Sequence, residues 1–314
     1  MARATAKYLV AADAQGLGTH GLARVPSYCG HLRSGRALGD AKPRIVREQA
    51  AACLVDGGNG LGFEPCELAL AQAIERARRN GVAFAGVTNG HHCGALGILL
   101  EPVAAAGMVG LAFTNAAAAI MPWGGKKPVF GTNPVAAIFP RREGAPLVID
   151  LSLTQVTRGQ VMLYQKQGKS IPEGWGMDAD GNPTTDAQKI LVGGSMYAVG
   201  GMKGTMLALM VEVLCCALTG AALSHEIGSI YVDEGPHMRL GQAFLVIDPA
   251  ALAGREVYLE RIETMVAAML RDGGVRLPGA RRQTLAASAA KNGIDVPPEL
   301  EKQLRELAGV RMKQ

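Results

Sequence analysis

Residues Gly16-Leu-Gly-Thr-His-Gly21 spell G-x-G-x-x-G, yet Pro26 follows five residues after the last glycine. That spacing limits what the chain can fold into. A genuine dinucleotide fingerprint follows a strand, here the apolar run Tyr8–Ala12, and opens a long helix packed on a parallel sheet. A proline one turn into that helix removes an amide and clashes with the preceding turn. The acid the fingerprint requires further on would be Asp40, which follows Arg33-Ser-Gly-Arg-Ala-Leu-Gly39, a loop and not a strand end. The Rossmann arrangement is therefore excluded.

The 314 residues suffice for one large or two modest domains with a sizeable core. A hydrophobic fraction of 48%, 41 glycines and only 4% aromatics describe an α/β protein rich in tight turns. The net charge of +5 is scattered, its densest groups being the doublets Arg141-Arg142 and Arg281-Arg282 without interleaved aromatics. This argues against nucleic acid and suits small anionic ligands. Six cysteines form no C-x-x-C, so neither a zinc framework nor a disulfide scaffold is expected, and reduced thiols fit a cytoplasmic protein. No signal peptide is visible. The apolar stretch Thr205–Leu223 is interrupted by Glu212 and reads as a buried helix, not a membrane span.

Periodicity predicts helices over Val25–Leu32, Pro65–Asn80, Leu96–Gly107, Thr205–Leu218 and Arg255–Arg271, with a helical tail over Ala287–Met312. Strands are expected at Ala51–Asp56, Val82–Thr88, Val109–Asn115, Val129–Phe130, Val135–Phe139, Leu147–Leu151 and Gln242–Ile247. The polar stretch Gln165–Gln188 reads as a surface lobe. The chain divides into an N-terminal helical segment, residues 1–50, packing with a helical C-terminal region, 250–314, and an α/β core over 51–249.

The chemistry-bearing residues are few. His20 and Arg24 stand four apart; on a helix starting near Thr19 they would share one face about 6 Å apart. A guanidinium grips a carboxylate through two hydrogen bonds, and an adjacent imidazole can exchange a proton at the next carbon. Asn89-Gly-His-His-Cys-Gly-Ala95 lies between a strand and a helix, where ligands collect in α/β proteins. His91 and His92 should point different ways, so no metal site is expected there. In Gly131-Thr-Asn-Pro134, Thr132 and Asn133 could orient a carboxylate, or the segment is an ordinary Asn-Pro turn. Asp150 is a lone acid in an apolar strand and needs a partner, for which His20 is a candidate. Gly200-Gly-Met-Lys-Gly204 precedes a helix and is either a phosphate cradle or a tight turn.

Taken in order, these stretches resemble the type-2 malate/L-lactate dehydrogenase family, unrelated to the Rossmann-fold lactate dehydrogenases. The similarity runs from Ala12–Arg24 and Asp56–Gly62 through His92–Gly97, Pro122–Gly125, Phe130–Pro134 and Ile149–Ser152. It continues with Ile171–Trp175, Gly200–Gly204, Leu240–Phe244 and Arg276–Gly279. The resemblance implies a non-Rossmann α/β fold around a largely antiparallel sheet, working as a homodimer with the site near the interface. It implies an NAD(H)- or NADP(H)-dependent oxidoreductase moving a hydride between nicotinamide and C2 of a small 2-hydroxy or 2-keto acid. The alternatives are a reductase of cyclic 2-imino acids and a truncated, non-catalytic cofactor-binding paralogue. Carried onto matching positions, His20 would donate the proton with Asp150 supporting it. Thr19, Arg24 and Thr132 would bind substrate, and His92, Asn133, Gly201, Lys203 and Gly204 the cofactor. Three departures stand out: Thr19 where serine is usual, Ala280 where an acid often follows, and little room before Ala12 for the usual N-terminal helix.

Overall fold

The computed structural model describes residues 1–309. Its framework is a seven-stranded sheet in the order β1-β2-β3-β9-β4-β5-β6, in which only β2 and β3 run parallel. The strands are β1 (Arg44–Gln49), β2 (Ala52–Asp56), β3 (Val82–Gly90), β4 (Val109–Thr114), β5 (Val135–Phe139), β6 (Leu147–Leu151) and β9 (Leu240–Ile247). Central β3 carries Ala83, Ala85, Gly86 and Gly90, small residues suited to a strand with helices packed close on its faces, whereas its neighbour β9 is mostly bulky and apolar.

One face is covered by α3 (Phe63–Asn80), whose Cys66, Ala69, Leu70, Ala73 and Ala77 recur at helical spacing and are all buried. Against α3 lie α1 (Ala2–Ala14) and α2 (Val25–Arg33), through Tyr8, Leu9, Ala12 and Tyr28. The other face is covered by α8 (Met202–Glu212) and the π-helical turn Val213–Ala217, through Ala208, Val211, Cys215 and Cys216. Pro26 sits in the first turn of α2, where its missing amide costs nothing.

Several expectations are corrected here. The chain begins with helix α1, which runs from Ala2 through Ala14 and so includes Ala12. The run Tyr8–Ala12 is part of it, and its buried residues Tyr8, Leu9 and Ala12 follow helical spacing. The helix expected over Leu96–Gly107 is broken into α4 (Leu96–Leu99) and α5 (Glu101–Ala105), because Pro102 fits only a first turn. Val129–Phe130 forms no strand, only a bridge from Phe130 to Ile120. The stretch around 165–188 is a lobe with its own small core, built from α6 (Arg158–Lys166), α7 (Ala187–Leu191) and the hairpin β7 (Gly176–Met177) with β8 (Ser195–Met196). Past β9, α9 (Arg255–Met269), α10 (Ala280–Asn292) and α11 (Pro298–Leu307) complete the fold, with α1 lying beside α10. The last residues of the expected tail helix, 310–312, lie outside the described residues.

The helix α8 was expected to be buried, and it is so on one side only. Met202, Met206, Leu207, Leu209 and Met210 are each at least 41% exposed. A helix apolar all round normally has protein on all sides. No helix among the described residues is long and apolar enough to cross a membrane.

Candidate active site

The fingerprint-like glycines serve a local purpose. A Cβ on Gly21 would lie 2.0 Å from Asp13 Oδ1, so only glycine lets the chain close onto that carboxylate. Asp13 accepts the backbone N–H of Leu22 at 2.7 Å. Thus His20 and Arg24 sit on two successive 3₁₀ turns, Gly18–His20 and Leu22–Arg24, instead of one α-helical face. Within this turn Thr19 Oγ1 lies 3.0 Å from His20 Nδ1, and Arg24 Nε donates to the Thr19 carbonyl at 2.7 Å.

The second histidine segment is docked by the glycine-rich turn Asp56–Gly62. The Gly62 N–H donates to the His92 carbonyl at 3.3 Å, and a Cβ on Gly62 would lie 2.2 Å from the His91 carbonyl oxygen. The two side chains then diverge. His91 is buried against His31, with 2.8 Å between His31 Nδ1 and His91 Nε2, and burial foremost holds its pKa down at about 3. His92 turns toward His20, their rings stacked at 5.6 Å. Its Nδ1 faces both the Gly94 N–H at 3.3 Å and Tyr28 Oη at 2.6 Å. An amide can only donate, so Nδ1 is the acceptor. Burial, then the charges of Arg24 and His20, keep the ring neutral. The proton therefore resides on Nε2, which makes His92 a hydrogen-bond donor there.

Both segments open onto one cavity of about 470 Å³, lined among others by Thr19, His20, Arg24, His92, Thr132 and Asp150. Burial, then the Arg24 charge, push the His20 imidazole down to about 4; Asp150 pulls in the opposite direction but is outweighed. The same cavity receives Arg158, the first residue of α6, together with Ser229, Ile230 and Tyr231. Burial also lowers the pKa of Arg158, and neither Arg24 nor Arg158 has a carboxylate within ion-pair distance among the described residues. Two unpaired guanidinium groups in one enclosed space make it a receptor for anions.

Asp150 departs from expectation. It does not hydrogen-bond His20; its Oδ2 accepts from Arg282 at 2.9 Å and from the Gly97 N–H at 3.1 Å. An arginine in reach outcompetes a neutral imidazole for a carboxylate. Asn133 is not in the cavity either. It is fully buried, at φ +39°, and donates to the Ala208 carbonyl at 2.9 Å and to Glu212 Oε2 at 2.8 Å. Glu212 is the residue that sequence reasoning took for a mere interruption. Its carboxylate also accepts from the Ser224 N–H at 2.6 Å and the Ser224 hydroxyl at 2.7 Å, pinning the Thr132 turn to α8.

A second cavity of about 670 Å³ is lined by Trp123, Lys126, Tyr197, Gly200 and Gly201, among others. Gly201 at φ +62° precedes α8, whose first turn has no side-chain cap and so leaves backbone amides for a phosphate. Of the three residues expected on the cofactor here, Gly201 alone lines the cavity. Lys203 is exposed beside it, and Gly204 is buried because a Cβ there would lie 2.0 Å from the Val199 carbonyl oxygen. The glycines and free amides fit a pyrophosphate.

Comparison with known proteins agrees with this geometry. Residues 1–305 match the malate/L-lactate dehydrogenase family. The (2R)-3-sulfolactate dehydrogenase (NADP(+)) of Chromohalobacter salexigens is 42% identical over 99% of this chain and 92% of its own. The Δ1-pyrroline-2-carboxylate/Δ1-piperideine-2-carboxylate reductase of Pseudomonas aeruginosa is 37% identical over 97% and 91%. Among solved structures, the sulfolactate dehydrogenase of Methanocaldococcus jannaschii superposes with a TM-score of 0.89 at 30% identity, covering 98% of this chain and 90% of that one.

The Glu212 network can be checked directly. In Glu212→Gln one acceptor oxygen becomes an amide facing other donors, which should cost about 1–3 kcal/mol of stability. The measurement is the urea unfolding midpoint, and an unchanged midpoint would show that the network contributes nothing. With the strand order, the cavity and these similarities together, the chain belongs to the malate/L-lactate dehydrogenase family.

Proposed function

We propose that this protein reduces a small 2-keto acid at C2 with NADH or NADPH, and catalyses the reverse oxidation. The observation that carries this reading is the meeting of His20, Arg24, His92 and Thr132 in one cavity. Arg24 holds the C1 carboxylate in a bidentate pair, aided by the Thr132 hydroxyl. Gly201 and the uncapped amides of α8 hold the cofactor pyrophosphate, with Lys203 adding charge at its edge. Bound in this way, a reduced nicotinamide would supply the hydride. The His92 Nε2–H polarises the carbonyl oxygen, and His20 delivers the proton to that oxygen as the C=O π bond breaks. Its Nδ1 is engaged with Thr19, so Nε2 carries the transferable proton. Asp150, held by Arg282, keeps a fixed negative charge near the resulting imidazole.

Arg158 refines the substrate class. One carboxylate needs one arginine; a second unpaired guanidinium in the same cavity suits a substrate with a second anionic group, as in malate or sulfolactate. The Chromohalobacter relative, a (2R)-3-sulfolactate dehydrogenase, is named for a substrate of that kind. A cyclic 2-imino acid is the second reading, favoured by the low pKa of His20, because an iminium nitrogen arrives already protonated and needs no acid. We further propose that the exposed apolar face of α8 is covered by a second copy in a homodimer, and that the enzyme works in the cytoplasm as two helical terminal regions around an α/β core.

Three measurements follow. The imidazolium of free His20 is the minor form above pH 4, so kcat/KM for keto-acid reduction should fall about tenfold per pH unit above pH 5. Oxidation uses the neutral form and should stay flat there. His20→Ala should abolish the slope and lower kcat by roughly 10²–10⁴ on keto acids; a variant with wild-type turnover on every substrate removes His20 from the chemistry. Arg158→Met should cut kcat/KM on two-anion substrates by about 10²-fold while leaving single carboxylates within about threefold. Equal losses on both classes would refute the second-anion role. Leu207→Glu combined with Met210→Glu should shift sedimentation from dimer to monomer, whereas a wild-type protein that sediments as a monomer would end the dimer reading.

A further inference from the structure

A fully buried arginine outside the cavity grips the segment that forms one of its walls. Arg36 is 2% exposed and meets carbonyl groups where a buried cation would ordinarily meet a carboxylate. Its Nη1 donates to the Ser229 carbonyl at 2.8 Å and to the Val232 carbonyl, and its Nε to the Pro236 carbonyl at 3.3 Å. Three planar donors reach three turns of one irregular segment, which only a guanidinium fork can do. Other side chains of the same stretch share the task. Ser27 Oγ donates to the Ile230 carbonyl at 3.1 Å and Ser34 Oγ to the Asp233 carbonyl at 2.7 Å, while His237 Nδ1 lies 3.1 Å from the Arg36 carbonyl oxygen. The Asp233 carboxylate rests on Gly30, where an added Cβ would be 2.4 Å from its Cγ.

What this grip holds in place is Tyr231. The segment has no regular hydrogen-bonded structure of its own, yet it sends Ser229, Ile230 and Tyr231 into the cavity wall. The Tyr231 ring lies over Arg24, with the guanidinium carbon 5.3 Å from the ring centroid. Arg24 is otherwise fixed within the described residues by one bond, from Nε to the Thr19 carbonyl. A single bond at Nε leaves the plane of the fork free to rock; an aromatic face against it sets that plane.

We propose that Arg36 is a positioning residue for substrate recognition: it clamps residues 229–236 so that Tyr231 fixes the plane in which Arg24 presents its two donors to the substrate carboxylate. This rests on the carboxylate-binding role proposed for Arg24. The energetic consequence belongs to substrate binding and not to hydride or proton transfer, so it should be read in KM for the acid with little change in kcat or in KM for the cofactor.

The test is a set of steady-state comparisons on the full-length enzyme with Arg36→Met, Arg36→Lys, Tyr231→Leu, Arg24→Met and the double variants. Arg36→Met and Tyr231→Leu should each raise KM for the keto acid roughly tenfold, with kcat and cofactor KM within about threefold. The effects should not multiply, because both act on the same guanidinium, and Arg36→Met should have no further effect on KM once Arg24 is Met. Arg36→Lys should recover only part of the loss, as an ammonium cannot span the three carbonyls. Full multiplication of the two losses, or an equal fall in kcat and cofactor affinity, would overturn the proposal. Should Arg36→Met fail to fold, the partly exposed Tyr231→Leu and its double with Arg24→Met still decide whether the aromatic face acts through Arg24. An Arg24→Met enzyme with wild-type KM would instead refute the underlying reading of Arg24, which separates the two failures.

Discussion

Burial of β3 and β9 on both faces is the constraint from which the rest of the geometry follows. Helix α3 on one side and α8 on the other must pack onto these two central strands closely enough to leave no void. Once those faces are closed, the end of β3 is fixed at Gly90, and the chain emerges into the His91–His92 segment beside the first turn of α3. The other face fixes α8, and through Glu212 and Asn133 it fixes the turn that carries Thr132. The core therefore places His92 and Thr132, while the turn closed on Asp13 places His20 and Arg24.

The two cavities divide the chemistry by charge. The smaller holds arginines without acid partners next to histidines that burial keeps neutral, an environment that is unfavourable when empty and improves when an anion enters. The larger presents glycines and uncapped amides, suited to spread-out phosphate charge more than to a point contact. The one acid lining the smaller cavity, Asp150, is committed to Arg282, so it leaves Arg24 and Arg158 without a carboxylate partner.

Much of this was legible in the sequence where a local pattern has a local cause. Pro26 excluded the fingerprint helix and marks the first turn of α2, and the buried face of α3 was visible in its periodicity. The divergence of His91 and His92 follows from their adjacency. What stayed hidden depends on distance along the chain. Arg282 reaches Asp150 across 132 residues, Arg36 reaches Ser229 across 193, and no spacing rule predicts either. Strand β1 was missed because an exposed edge strand, Arg-Ile-Val-Arg-Glu-Gln, carries no burial alternation to read. Asn133 looked like a ligand group because its polarity was plain while its partner, Glu212, lay 79 residues away.

The depressed pKa of His20 at first sight argues against the acid role proposed for it, and the causes of the shift resolve the conflict. Burial is the larger cause and persists with substrate bound; the Arg24 charge is the second, and a carboxylate on Arg24 cancels it. Removing that repulsion moves the His20 pKa upward from about 4. In the mechanism proposed above, a substrate carboxylate on Arg24 favours the imidazolium of His20, while an empty site keeps the imidazole neutral beside an unpaired arginine. In that proposal substrate binding and proton supply are coupled through the Arg24 charge, the second cause of the low His20 pKa.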